Sequence, residues 1–139
     1  MAVVERNASC IGASVRNFGF VTVTGQRRGE HWARAMRTRN VWEQVAPKAG
    51  IQVVHQGLYV LAQRPEAMTV LEAFLNTEMG EGCQMLSMAE ARKDFPALGE
   101  GLGVLYSPHE RRVESRNAIP QLSRWLEQSQ CVDFYWSTT

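Results

Sequence analysis

The chain has 139 residues, is 45% hydrophobic and 21% charged, and contains four Trp and five Phe, a composition that excludes a disordered segment. Fifteen Lys and Arg against fourteen Asp and Glu leave a formal charge of +1, which argues against a dedicated nucleic-acid binder. No apolar run approaches the roughly 20 residues that span a bilayer, and a charge already stands at Glu5, so neither a transmembrane segment nor a signal peptide is expected.

Taken in chain order, Ala2-Val3-Val4 is a continuous apolar run before Glu5-Arg6, the pattern of a strand buried on both faces of a parallel sheet. The stretch from Asn7 to Asn17 is small and polar and reads as loop, and Phe18 to Thr24 alternates with β-branched residues and reads as extended. A helix is predicted over Gly29 to Val45, with Trp32, Met36, Val41, Trp42 and Val45 near one face, stopped by Pro47 and Gly50. Two extended stretches, Ile51 to Val54 and Leu58 to Ala62, flank Gly57, which suggests a bend or bulge. A second helix follows Pro65, with Met68, Leu71, Phe74, Leu75 and Met79 as its stripe. Ser87-Met-Ala-Glu90 has capping-box form and opens a short third helix closed by Phe95-Pro96. Gly101 to Tyr106 is a predicted strand, His109-Glu-Arg-Arg112 a loop that reads first as a surface turn and second as the seat of a substrate-carboxylate guanidinium, Asn117 the cap of a fourth helix lined by Ile119, Leu122, Trp125 and Leu126, and Cys131 to Trp136 a last strand. This order joins an α/β piece to an α+β piece.

Cys10, Cys83 and Cys131 are widely spaced and odd in number, so a disulfide framework or cysteine zinc site is not expected, and reduced thiols in a cytoplasmic protein are. His31, His55 and His109 show no ligand spacing, and no metal site is expected. Arg27, Arg28, Arg34, Arg37 and Arg39 form a basic cluster that reads first as a solvated helix face, and second as a cationic entrance for an anionic substrate. Tyr59 and Tyr106 read first as core packing and second as cavity walls.

One arrangement carries chemistry. An apolar strand ends in Glu5, and a loop with Ser14, Arg16, Asn17 and Gly19 follows. A carboxylate at the end of a second strand can accept both ribose hydroxyl protons of a dinucleotide, and small residues with a guanidinium suit phosphate oxygens. On spacing alone a solvated strand end is the first reading, and the ribose carboxylate the second. The wording adds to this. Glu5-Arg6 followed by Gly12-Ala-Ser-Val-Arg-Asn-Phe-Gly-Phe20 resembles the second-strand and flavin-loop region of the D-amino acid oxidase superfamily, FAD-dependent amine and amino-acid oxidoreductases that include glycine and sarcosine oxidases. Gln56 to Ala62, Leu86 to Glu90 with Phe95-Pro-Ala-Leu98, and Gly103 to Leu126 are similar to later segments of that family, and Ser-Val-Arg-Asn-Phe-Gly-Phe looks nearest to a bacterial subgroup associated with phosphonate degradation.

The resemblance implies FAD as cofactor, with Glu5, Arg6, Ser14, Arg16, Asn17 and Gly19 as cofactor-binding residues and no catalytic residue assigned. It implies oxidation of the C–N bond of an amine or amino acid-like substrate, including an aminophosphonate, by hydride transfer to flavin. The expected fold is part of a Rossmann-like FAD/NAD(P)-binding domain, at about residues 1–25 and 113–139. Part of an inserted antiparallel-sheet substrate domain is expected at about 26–112. The family's GxGxxG turn is not found in these residues, so the sequence is expected to be an internal fragment of a longer oxidoreductase, marginally stable, binding FAD weakly or not at all, and inactive alone. A small ligand-binding module without catalysis is the alternative.

Overall fold

A computed structural model describes all residues from Met1 to Thr139. It is a mixed α/β structure with one parallel and one antiparallel-paired sheet. The chain forms two compact units: Met1–Val21, Arg37–His55 and Arg111–Thr139 make the first, and Thr22–Met36 with Gln56–Glu110 the second.

In the first unit, strand β1 (Ala2–Val4) pairs parallel with β6 (Asp133–Tyr135), setting Val3 beside Phe134 and Val4 beside Tyr135. The ladder is extended by Asp133 N–H to Met1 O at 2.9 Å and Glu5 N–H to Tyr135 O at 3.0 Å. The strand expected here is present, but it is not buried on both faces: Val4 is 60% exposed and only Val3 is half-buried. A sheet of two strands leaves apolar side chains without a second covering layer.

Strand β2 is short, Phe20–Val21, and pairs antiparallel with the end of β5 (Gly103–Val113), Phe20 facing Arg112 and Val21 facing Arg111. Helix α4 (Ser115–Ser129) starts almost at once, with Glu114 as its N-cap. Asn117, expected as the cap, lies inside the first turn, because its amide and that of Ala118 already donate to Glu114 O. Helix α1 (Glu30–Lys48) runs past the expected stop and holds Pro47 in its last turn. Gly50, at φ +66°, supplies the left-handed residue that ends it, while the Ile51 amide returns to Ala46 O at 2.8 Å. Ala46, Ile51, Val113 and Ala118 form this unit's core, packed by Trp42, Ala49, Val53 and Leu122.

In the second unit, β3 (Val53–Ala62) is one strand where two stretches were expected. Gly57 at φ +82° is the irregular point, and a side chain there would meet the Tyr106 ring at 2.8 Å. Helix α2 (Pro65–Leu75) takes Pro at its first turn, and Met79 falls outside it in a 3-10 turn at Glu78–Gly80. Strand β4 (Gln84–Leu86), not foreseen, pairs antiparallel with β5 from Tyr106 back to Val104. Helix α3 (Met88–Asp94) carries the expected capping box: Glu90 N–H donates to Ser87 Oγ at 3.2 Å and Ser87 N–H to Glu90 Oε2 at 2.8 Å. The larger sheet has the order β2-β5-β3, with β4 also paired to β5.

Strand β5 corrects the expected loop at His109–Arg112. Those residues are strand, and His109 and Glu110 are 8% and 7% exposed. Pro108 would normally argue against a paired strand. Here β4 takes up Val104–Tyr106 and β2 takes up Arg111 and Arg112, and the amide after the proline, that of His109, donates to Ser107 Oγ at 3.2 Å.

Candidate functional site

Glu5 follows directly on β1, half-buried at the C-terminal end of a parallel strand. Its Oε1 accepts from the Asn7 amide and from Asn7 Nδ2, both at 2.8 Å. Its backbone is clamped on both sides, by Tyr135 O and by the Thr138 amide at 3.0 Å. Arg6 is exposed.

The loop that follows is built by its own side chains. Ala13–Val15 is a 3-10 turn. Asn17 closes it, donating from Nδ2 to Ser14 O at 2.7 Å and Ala13 O at 3.2 Å, while Oδ1 accepts from the Gly19 amide at 2.7 Å. This is the local bonding for which Asn is favoured in turns. The loop is then tied to the junction of β5 and α4: Ser115 Oγ donates to Asn17 O at 2.8 Å, and the Val113 amide to Gly19 O at 3.0 Å. Asn17 and Gly19 therefore shape the loop. Ser14 and Arg16 are exposed on it. The hydrogen bonds of Glu5 go to Asn7, Tyr135 and Thr138, those of the loop to Val113 and Ser115.

Against the loop lies a cavity of about 510 Å³ lined by Val15, Arg16, Asn17, Phe18 and, across it, Arg112, Glu114, Arg116 and Asn117. A smaller one of about 250 Å³ adjoins Ser14, Gly19, Trp42, Val113 and Ser115. Glu114 and Arg116 were missed from sequence, and Arg112 was read first as part of a surface turn and only second as a substrate-side guanidinium, because the end of β5 reads as loop; the register Phe20 to Arg112 is what brings Arg112 beside the loop.

The remaining candidates divide by their contacts. Arg39 pairs with Glu43 at 3.4 Å, Arg111 also pairs with Glu43, and Arg28 pairs with Glu78 at 3.2 Å, so part of the basic cluster is structural charge pairing. The rings of Tyr59 and Tyr106 lie 5.1 Å apart, tilted by 43°, and Tyr59 Oη donates to Asp94 Oδ2 at 3.3 Å. Burial first, then the Asp94 charge, push the Tyr59 phenol above its ordinary value. His109 Nε2 stands 2.6 Å from Glu81 O and braces the turn at Gly82. The three cysteines are free thiols. No helix is long and apolar enough to cross a membrane.

The whole chain, residues 1–139, matches the family model of the FAD dependent oxidoreductases called DAO. The chain belongs to this family. The expected resemblance is thus borne out, and with it the family's cofactor, FAD. Glycine oxidase from Geobacillus kaustophilus is similar in structure at a TM-score of 0.73 and 23% identity, over 98% of this chain and 40% of that one. L-amino acid deaminase from Proteus vulgaris superposes at a TM-score of 0.82 with 13% identity, over 98% and 34%. L-alpha-glycerophosphate oxidase from Mycoplasma pneumoniae, solved with FAD bound, gives 0.76 at 17% identity, over 98% and 38%. This member of the family therefore spans well under half the length of these relatives. Comparison with curated proteins found no match.

The residues present fit part of an FAD site. Glu5 is a half-buried carboxylate at the C-terminal end of a parallel strand, with Asn7 bonded to one oxygen only. The cavity beside the Ser14 to Gly19 loop carries a cationic excess suited to anionic oxygens.

Proposed function

We propose that the protein oxidises the C–N bond of an amine or amino acid-like substrate, aminophosphonates included, with FAD as the bound cofactor. What carries this reading is Glu5, at the end of parallel β1 in a chain matched throughout by the family. Glu5 Oε1 is held by Asn7, and the second carboxylate oxygen is the acceptor for a ribose hydroxyl. Asn17 and Gly19 hold the loop in shape, and Ser14 and Arg16 face the cofactor from it. When bound, FAD supplies the two-electron acceptor, and the protein supplies binding and orientation. In this reading, residues about 1–25 and 113–139 serve the cofactor and about 26–112 mostly the substrate side.

The test is FAD affinity of the chain with Glu5→Ala, followed by quenching of flavin fluorescence. Loss of a charge-assisted hydrogen bond should raise Kd by roughly tenfold or more. Unchanged affinity would reject the assignment of Glu5.

A further inference from the structure

We propose that Tyr59, Tyr106 and Asp94 form a recognition site for an alkylammonium ion, the protonated form in which an amine substrate meets the protein. That the ion is the substrate's amine rests on the amine-oxidation reading; that the site takes an alkylammonium ion does not.

The antiparallel sheet of the second unit has one sealed face. Leu105 and Ser107 lie on it, 1% and 0% exposed. A Cβ on Gly103, on the same side, would meet Met68 of α2 at 2.9 Å and Met85 of β4 at 3.5 Å. Side chains alternate along a strand, so Tyr106 stands on the other face, beside its β4 partner Gln84. Gly57 places Tyr59 on that face too, because a Cβ at Gly57 would run into the Tyr106 ring and Tyr59 follows two residues later. Helix α3 packs on β4 and ends at Asp94, whose carboxylate reaches Tyr59. The two tyrosines are half-buried, and Gln84 next to Tyr106 is exposed, so this part of the face is open to a small ligand.

Three features suit an organic cation. The rings lie 5.1 Å apart, tilted by 43°, an arrangement that leaves each an outer face whose quadrupole attracts positive charge. Asp94 adds a full negative charge, and the chain's ion pairs take Glu43, Glu78 and Glu100 but not Asp94. Open acceptors are present as well. Asp94 Oδ2 accepts from Tyr59 Oη at 3.3 Å, while Asp94 Oδ1 and the Tyr106 hydroxyl make no hydrogen bond within the chain. An ammonium group has three donors and no acceptor, which fits such a set, and its alkyl carbons find the ring faces. The same carboxylate and ring faces repel an anion.

Ethylammonium chloride is titrated into the full chain at neutral pH and constant ionic strength, and the tyrosine ring resonances are followed by NMR. Tyr59 and Tyr106 should shift together to saturation, with Kd of roughly millimolar order, and Tyr135 should not move. Ethanol, the neutral isostere, should shift none of them. Asp94→Asn and Tyr106→Leu should each weaken binding roughly threefold or more, while Glu66→Gln, which removes an equal charge from α2, should stay within about twofold. Tyr106→Leu leaves a gap beside Gly57, so exposed Asp94 supplies the variant that keeps the fold, and Tyr106→Phe, which retains the ring, should bind more tightly than Tyr106→Leu. Shifts that never saturate, an equal response to ethanol, or equal losses in Asp94→Asn and Glu66→Gln would overturn the site. The titration needs no flavin, so its failure leaves the Glu5 test of the FAD reading standing, and a failed Glu5 test leaves this site standing.

Discussion

Gly19 and Val113 are locked back to back: the Val113 amide donates to Gly19 O at 3.0 Å, and a Cβ on Gly19 would run into the Val113 carbonyl oxygen. Gly19 also stands at φ +69°, where side chains are disfavoured. This one contact explains why the motif Arg16-Asn-Phe-Gly19 must end in glycine, and it sets the loop against the start of α4.

Gly19→Ala is expected to destabilise the protein by roughly 3 kcal/mol, the sum of left-handed strain and a backbone collision that flexible side chains cannot absorb. Urea unfolding measures it. A loss below about 1 kcal/mol would mean that the loop relaxes away from Val113.

Glu110 is expected to contribute to the acid sensitivity of the second unit. Burial pushes its carboxyl up, but the amides of Thr24 at 2.5 Å and Val23 at 3.2 Å, with the hydroxyls of Thr24 and Ser107 beside it, outweigh burial and leave its pKa below the ordinary value. A depressed carboxyl stabilises the fold above the unfolded-state pKa, and that contribution is lost as pH falls through the lower folded-state value. The urea midpoint should therefore fall on acidification below about pH 5, and fall less steeply in Glu110→Gln. Parallel pH profiles for the two proteins would contradict this.

The free thiols should differ in reactivity. Cys131 is exposed, whereas burial pushes the half-buried Cys83 thiol up, with the Glu110 charge adding to it against an opposing bond to Ser107. Ellman's reagent should modify Cys131 first and Cys83 at least roughly tenfold more slowly. If Cys83→Ser removes the fast phase, the assignment is wrong.

Tyr59 should ionise above its ordinary range, through burial first and then the Asp94 charge at the 3.3 Å contact. Asp94→Asn removes a negative neighbour that opposes the phenolate, so the phenol pKa should drop. Difference absorbance at 295 nm between the two proteins, followed through alkaline pH, would show one tyrosine titrating earlier in the variant. Superimposable curves would refute the coupling.

Much of the local structure was legible in the residues themselves. Ser87 and Glu90 satisfy the first amides of α3 from within four residues, so the capping box needs no distant partner. Pro65 starts α2 for an equally local reason, and the apolar run Ala2–Val4 before Glu5 marked a parallel strand with its carboxylate at the end. The family wording from Glu5 to Phe20 was also there to be read, and the match over residues 1–139 agrees with it. The start of β5 was also legible, but tertiary structure alone decided that it runs on from Ser107 to Val113. Pro108 and the polar run His109–Arg112 look like a loop, yet β4 and β2 supply partners on either side of the proline and Ser107 satisfies the next amide. That pairing carries Arg112 to the side of Phe20 and begins α4 at Ser115, so Arg112 and Arg116 meet the Arg16 loop from nearly a hundred residues away. No periodicity within a short window can encode such a meeting, because a strand's neighbours, and the face each side chain is left with, are chosen by register between segments distant in the chain.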